Sequence, residues 1–252
     1  VSTPWAMSGD CGSIEVITGG NAAVGVFARA DYGTASVDNS GDIYASVDGI
    51  NGFVGDVAYG ILARGEYADV SNSGNIEVHG LYYGTGIAAS SYYGSTVTNT
   101  GGSIYVYALG GATGIDAQSP FGDVTVVNAS DITAVGLYYG AIGINANSVY
   151  GDTHVANSGD IYAASIYGAA TGVYALGEGS SVDNSGSITA VVQGDVARAT
   201  GVINAASYTG DAITTNSGDI NAIAQGGVAP YGVYEAQAVG IYNLAVLYDS
   251  AV

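Results

Sequence analysis

The chain has 252 residues, including 41 glycines and 21 tyrosines, and its formal net charge is −19 because 22 acidic residues face three basic ones. Three cations cannot neutralise a track of phosphates, so the composition argues against nucleic acid as a partner and disfavours an anionic membrane surface. No apolar run approaches the ~18 residues of a membrane-spanning helix, so we expect no transmembrane segment.

An isoleucine follows the same polar turn eight times, at intervals of about 29 residues. These isoleucines are Ile14, Ile43, Ile76, Ile104, Ile132, Ile161, Ile188 and Ile220. The clearest copy of the repeat reads GDTHVANSGDIYA, at residues 151–163. Such a period is typical of a structural unit that stacks on copies of itself. In chain order we expect a non-repeat segment at 1–7, a repeat domain at 8–237 and a non-repeat apolar segment at 238–252.

Each repeat contains three short apolar segments with a period of two, which indicates half-buried strands. The first segment follows the isoleucine, the second opens on a Gly-Ile or Gly-Val pair, and the third ends in Val-x-Asn. Because the valine and asparagine lie two residues apart, both should face inward, and stacked repeats should align the asparagines into a ladder. These asparagines are Asn39, Asn72, Asn99, Asn128, Asn157, Asn184 and Asn216.

The segments are separated by corners of two kinds. A Ser-Gly turn follows most of the ladder asparagines, and we expect its glycine, such as Gly41 or Gly159, to supply the backbone freedom that the corner needs. Tyrosine-rich corners flank the second segment, as at 138–140 and 150–152. Length differences between repeats fall mainly at one tyrosine-rich corner, which is typical of loops that project from a regular core.

Together these patterns predict an all-β fold, a right-handed parallel β-helix of about eight coils of ~29 residues with three strands per coil. Neighbouring coils of such a sheet lie ~4.8 Å apart, so eight coils give a rod of roughly 38 Å. A β-sandwich fits poorly, because it would not require the same corner residues at every repeat.

The repeat resembles the repetitive passenger regions of Gram-negative autotransporters and filamentous adhesins, with their Y-G-D-V-x-V-x-N-S-G-D-I cadence. Residues 148–163 and 90–105 carry it most clearly, and it covers roughly residues 8–233. The resemblance implies export across an outer membrane, an extracellular or cell-surface location, and a scaffold or adhesive role. We expect no segment of this sequence to form the family's C-terminal translocator barrel.

The segment at 238–252 departs from the repeat and is apolar. One interpretation is a cap over the last coil, which would otherwise expose unpaired backbone groups. The other is a strand that docks onto a second copy and builds a head-to-tail fibre. The residues that would mediate this self-association are Val239, Ile241, Leu244, Val246 and Leu247.

Few residues suggest chemistry. His79 and His154 occupy different places in the repeat, without partners at metal-ligand spacing, so we expect no transition-metal site and no cofactor. Aspartates such as Asp131 recur before the repeat isoleucine, and a row of them would allow weak surface binding of Ca²⁺ or remain simply solvated. Arg29 and Arg64 should stack in adjacent coils as a small cationic spot. Because carboxylates keep to repeat positions, and an active site normally breaks a repeat, we expect no enzyme.

Tyrosine is unusually abundant, and its role stays open at this stage. Outward rings such as Tyr105 and Tyr162 could bind glycans or sibling molecules, or stack between coils and stiffen the rod. We therefore predict a non-catalytic extracellular β-solenoid, either an adhesin stalk or a filament subunit. A carbohydrate-binding or polysaccharide-degrading β-helix is the alternative. Cys11 cannot form an internal disulfide and receives no role.

Overall fold

The computed structural model describes residues 6–8, 12–48, 56–194, 197–207, 210–226 and 236–245, which contain β-strands and no helix that could cross a lipid bilayer. In chain order the strands are β1 (Ala6–Ser8), β2 (Ile14–Thr18), β3 (Ala22–Arg29), β4 (Thr34–Asn39), β5 (Ile43–Val47), β6 (Val57–Asn72), β7 (Ile76–Gly80), β8 (Tyr83–Asn99), β9 (Ile104–Ala108), β10 (Gly111–Ser119), β11 (Val124–Asn128), β12 (Ile132–Gly136), β13 (Gly140–Ser148), β14 (Thr153–Asn157), β15 (Ile161–Ser165), β16 (Ala170–Gly177), β17 (Ser180–Asn184), β18 (Ile188–Gly194), β19 (Arg198–Ala206), β20 (Ala212–Asn216), β21 (Ile220–Gly226) and β22 (Gln237–Ala245).

The strands stack as a parallel β-solenoid of about seven turns, which confirms the predicted fold class. The first segments form an eight-stranded sheet in the order β2-β5-β7-β9-β12-β15-β18-β21. Its seven spacings of ~4.8 Å correspond to a length of about 34 Å. The second and third segments share a 14-stranded sheet, because β6 and β8 run through the corner between them. Elsewhere each coil has three separate strands, as the period predicts.

The repeat isoleucines form one row through the eight-stranded sheet, each the register partner of the next. The six from Ile43 to Ile188 are at most 2 % exposed, whereas Ile14 is 36 % exposed at the outer edge. Fully burying each such side chain contributes about 1.5–3 kcal/mol. The narrow interior of the coils is therefore the core of the molecule.

Glycines of the second segment make room for this isoleucine row. A Cβ added to Gly60 would overlap the Cγ2 of Ile76 and the carbonyl oxygen of Gly86. The same relation recurs at Gly86, Gly114, Gly143, Gly172 and Gly201. The isoleucine of each coil thus packs directly against the bare backbone of the preceding coil's second segment.

The Ser-Gly corners use glycine for a different reason from the one predicted. Gly41, Gly74 and Gly159 are absent from the positive-φ glycines of the described chain, so backbone freedom is not what they supply. A Cβ at each would instead overlap the carbonyl of the preceding coil, such as Gly12 O below Gly41 and Gly41 O below Gly74. Glycine is required at these corners because neighbouring coils approach closely there.

Two strands show that the predicted repeat boundaries are too narrow. Strand β1 pairs in parallel with β4, with Met7 opposite Val37, so it occupies a third-segment position. Strand β22 pairs in parallel with β19, with Val202 opposite Ile241. The described part of 238–252 is therefore the second segment of the last coil, not a non-repeat segment. Its Gly240-Ile241 pair carries the sequence signal of that segment.

Candidate functional site

The ladder asparagines lie in one continuous hydrogen-bonded row. Each Nδ2 from Asn39 to Asn184 donates to the Oδ1 of the next ladder asparagine at 2.7–2.8 Å. Most also donate to a carbonyl two residues on, as Asn157 does to Gly159 O at 2.8 Å. Asn72 to Asn184 are at most 3 % exposed, whereas Asn216 is exposed at the end of the row. Buried amides are thereby satisfied by other coils rather than by water.

Corner carboxylates connect adjacent coils, a role that the sequence did not reveal. Asp131 Oδ1 accepts the backbone N–H of Asp160 at 3.1 Å, and Asp160 Oδ1 accepts that of Ser187 at 2.9 Å. At a second corner Asp123 and Asp152 do the same for the coil that follows each. In the described part of the chain, no three His, Cys, Asp or Glu side chains come together as metal ligands. Hydrogen bonds to the backbone of the next coil thus explain why these aspartates recur at the same positions of the repeat.

Aromatic side chains stack along the rod at two corners. In the first column, Phe121 lies 5.8 Å from Tyr92 and 5.7 Å from Tyr150 between ring centroids, with interplanar angles of 24° and 8°. In the second, Tyr138 and Tyr167 stack at 5.3 Å. Stacked faces cover one another, so rings inside a column present mainly their edges to solvent. Stiffening between coils accounts for these pairs without a partner.

His79 and Tyr82 each belong to a further group of aromatic contacts. His79 Nε2 lies 2.8 Å from Glu77 Oε1, and its ring centroid is 5.6–6.0 Å from those of Tyr44 and Tyr105. A hydrogen bond with Tyr139 raises the pKa of Tyr82 above its usual value.

The second histidine lies elsewhere. His154 Nδ1 lies 2.8 Å from Ser181 Oγ, on a different sheet from His79. The two histidines therefore do not form one site.

A groove along the second segments brings together polar groups from several coils. Register pairing places five outward side chains in one row across five coils. This polar row consists of Arg29, Arg64, Ser90, Gln118 and Asn147. Two adjoining clefts, of about 380 and 150 Å³, lie beside it and share Ser90, Ser91 and Pro120. We call the polar row and these clefts the arginine groove.

Charges in the arginine groove are unevenly paired. Arg29 forms an ion pair with Asp31, Nη2 to Oδ1 at 2.8 Å, on an exposed surface. Glu66 Oε2 accepts the backbone N–H of Gly33 at 2.7 Å. Arg64 is exposed and makes no ion pair or side-chain hydrogen bond within the described chain. The sequence placed both arginines in adjacent coils but did not show the groove beside them.

A half-buried carboxylate lies next to the polar row. Asp116 Oδ1 accepts hydrogen bonds from Gln118 Nε2 and Asn145 Nδ2, both at 2.8 Å. Burial raises the pKa of Asp116, and the two hydrogen bonds oppose that rise. The sequence offered no signal for it, because the register partners of Asp116 in neighbouring coils are Ala88 and Asn145.

Three of the five predicted self-association residues lie in the part of the chain that the structure describes. Ile241 and Leu244 are 42 % and 40 % exposed, and Val239 lies on the same strand, β22. Val246 and Leu247 lie outside the described residues, as does Cys11. On the opposite edge of the solenoid Ile17 and Phe27 are 54 % and 49 % exposed. Apolar side chains are therefore exposed on the outermost described coil at each end.

Fold and contacts define the chain as a parallel β-solenoid with buried asparagine and isoleucine ladders. Comparison with known proteins adds no name to this class: no family model, no curated protein and no solved structure matches the chain.

Proposed function

We propose that this chain is a non-catalytic structural rod of an extracellular or cell-surface protein, of the adhesin-stalk type found in autotransporter passengers of Gram-negative bacteria. The observation that carries the proposal is the unbroken asparagine ladder, which links seven successive coils through six side-chain hydrogen bonds. Every coil is held to its neighbours by the same contacts, as a load-carrying or spacing element requires. The secreted location rests on the resemblance of the repeat cadence.

The distribution of carboxylates supports a non-catalytic role. A catalytic pair of carboxylates needs a shaped cleft, usually at a break in the repeat. Here Asp131 and Asp160 are exposed at one repeated corner, Asp123 and Asp152 are exposed at a second, and each accepts a backbone N–H group of the next coil.

The first prediction tests the rod and the absence of turnover together. Small-angle X-ray scattering of purified protein should fit a folded coil stack about 34 Å long, whose nine-residue second-segment strands run about 30 Å across it. Incubation with acidic polysaccharides should release no reducing sugar. Scattering from an expanded chain would contradict the stacked rod. Turnover that is lost on substitution of Asp116 or Arg64 would contradict the non-catalytic role.

Head-to-tail self-association is a second candidate, and the observation that favours it is the glycine at position 240. Gly240 is register-equivalent to Gly201, where a Cβ would overlap Ile220 Cγ2 and Gly240 O. Among the described residues, the atom nearest to an added Cβ at Gly240 is Ile220 Cγ2 at 4.0 Å, and the φ of Gly240 is not positive. A further coil on β22 would supply the close contact that these residues do not make. The β3 edge of a second copy offers Gly25 and the same segment pattern.

Exposed apolar residues at the two ends also correspond by position. If Gly25 of one copy takes the place of a coil after Gly240, Phe27 lies over Tyr242. In the other sheet the same stacking places Ile17 over Ile223. All four side chains are between 42 % and 54 % exposed in the isolated chain. Continuation of the coil stack would bury them and pair the open strand edges.

The second prediction uses Gly240→Ala. In a fibre the added methyl would overlap the next copy, so assembly measured by light scattering and electron microscopy should be lost while the thermal melt stays unchanged. Gly94→Ala is the matched control, because Gly94 lies in an inner coil and an added Cβ there would make only ordinary contacts, the nearest at 3.4 Å to Asp123 O. An intact protein that remains monomeric at high concentration, or a Gly240→Ala variant that assembles like the wild type, would contradict self-association.

A further inference from the structure

The placement of arginine is the most unusual charge feature of the molecule. The chain has three basic residues against 22 acidic ones, yet two of the three are register partners on adjacent strands. Like charges directly opposite each other destabilise a sheet. Asp31 compensates Arg29, whereas Arg64 has no ion-pair partner within the described chain. An anionic group beside Arg64 would relieve this repulsion.

The far end of the arginine groove contains an unsatisfied acceptor. Asn147 Oδ1 is buried and has no hydrogen-bond partner, and Asn147 lines the smaller cleft together with Gln118 and Ser90. Buried polar atoms in native proteins nearly always have a partner. If the Asn147 amide turns toward the cleft, a ligand hydroxyl there would supply the missing donor.

Apolar and aromatic side chains line part of both clefts. Tyr92 lines the larger cleft, Pro120 lines both clefts and Val149 lines the smaller one. Tyr92 is 58 % exposed and is the last ring of its column on the side of Arg64, while Tyr93 lies tilted against it at 5.9 Å between ring centroids. The exposed part of the Tyr92 ring is available to stack on the apolar face of a sugar ring.

The groove runs along the rod and so favours an extended ligand. Five residues of the polar row span four coil spacings, about 19 Å. Hydroxyl and amide groups of Ser90, Gln118 and Asn147 follow the two arginines in that row. Apart from the outermost strand β3, the strands beneath are already paired on both edges, so a peptide could not bind along the groove by adding a strand. A ligand with closely spaced hydroxyl groups matches this polar lining better than a peptide does.

We propose that the arginine groove binds an extended polysaccharide that is mainly neutral and carries isolated carboxylate groups. A polyanion is disfavoured, because Asp31 and Glu66 line the same cleft as Arg64 and the net charge of the chain is −19. A uronate carboxylate lies on the guanidinium of Arg64, which matches it in a planar, bidentate arrangement. A neighbouring sugar ring lies against Tyr92, and a hydroxyl further along donates to Asn147 Oδ1. This site goes beyond the proposed structural role and would stand if the rod served another purpose.

The test is isothermal titration of the full chain with a glucose oligosaccharide that carries a single glucuronic acid residue. A neutral glucose oligosaccharide and an oligoglutamate of equal length serve as comparison ligands. The uronate should bind saturably, and both comparison ligands at least about tenfold more weakly. Equal binding of the oligoglutamate would show that charge alone is recognised and would overturn the proposal, as would a lack of saturable binding of the uronate.

Matched variants locate the site. Arg64→Gln should weaken uronate binding by at least about tenfold, because a charge-assisted hydrogen bond is lost. Arg198→Gln removes the same charge from an exposed residue on β19, outside the groove, and should leave affinity within about twofold. Asn147→Ala, which keeps the charge, should weaken binding by about fivefold. Equal effects of Arg64→Gln and Arg198→Gln would overturn the assignment, and thermal melts confirm that each variant is folded.

Discussion

In this protein, the hydrogen bonding of a single polar residue depends on the groups that the adjacent coil provides. Asn128 is 1 % exposed, yet its amide is fully used, because one N–H binds Asn157 Oδ1 and the other binds Ser130 O. Asp116 has two good donors but remains partly desolvated as an anion. The difference follows from charge, since burial penalises an ionised carboxylate much more than a neutral amide.

The third prediction concerns Asp116→Asn. Because the folded-state pKa of Asp116 is raised, its favourable contribution exists below the unfolded pKa of about 3.9 and is lost as pH rises through the folded value. Relative to the wild type, the variant should therefore gain melting temperature between pH 3 and pH 7. Asp183→Asn, which removes an exposed carboxylate, is the control. A pH-independent difference for Asp116→Asn would contradict the assignment.

At the level of strands, alternation decides which residues tolerate change. In β12, Ile132 and Ala134 face the interior, and the intervening Thr133 does not. In β15 the same alternation places Tyr162 outside at 41 % exposure. Each strand pairs on both sides in register, so damage to one inward residue affects the coils above and below it.

The fourth prediction compares the two faces. Ile132→Asp should lower the free energy of unfolding by more than about 3 kcal/mol, because it buries an unpaired charge. Tyr162→Ser should cost under about 1 kcal/mol. Ile132→Val, at about 0.5–1.5 kcal/mol, separates loss of a methylene from burial of charge. Denaturant melts that place Tyr162→Ser above Ile132→Asp would contradict the strand register.

At the level of the whole molecule, stacking must overcome electrostatic repulsion. The net charge is −19, and among the described residues the one ion pair between permanently charged side chains is Arg29–Asp31. Equivalent corners place carboxylates in rows one coil apart, where backbone N–H groups compensate only part of the charge. Self-repulsion of this kind destabilises a compact state and is screened by salt.

The fifth prediction is that salt stabilises the solenoid. Raising NaCl from 10 to 150 mM shortens the Debye length from about 30 to about 8 Å and should raise the melting temperature. Tetramethylammonium chloride should act equally if screening is the cause. A larger rise in CaCl₂ at matched ionic strength would indicate the weak calcium binding that the aspartate rows allow. A melting temperature that does not respond to salt would contradict the repulsion.

By itself the sequence determined the fold class, the isoleucine row and the asparagine row, because a repeat whose residues alternate inward and outward leaves one way to stack. The reason predicted for the corner glycines, backbone freedom, was wrong. Contact between a Cβ and the carbonyl of another coil depends on residues that are far apart in the sequence, so the sequence does not reveal it. It also excluded β22 from the repeat, although Gly240-Ile241 marks it.

Only the tertiary structure decided what the outward residues build. Arg64, Ser90, Gln118 and Asn147 belong to different repeats and share no motif, yet register places them in one groove. The inward face is repeated because every coil needs the same core, whereas the outward face is free to vary. Periodicity therefore reveals the scaffold, and a site made of non-repeated outward residues becomes visible only when the coils are stacked.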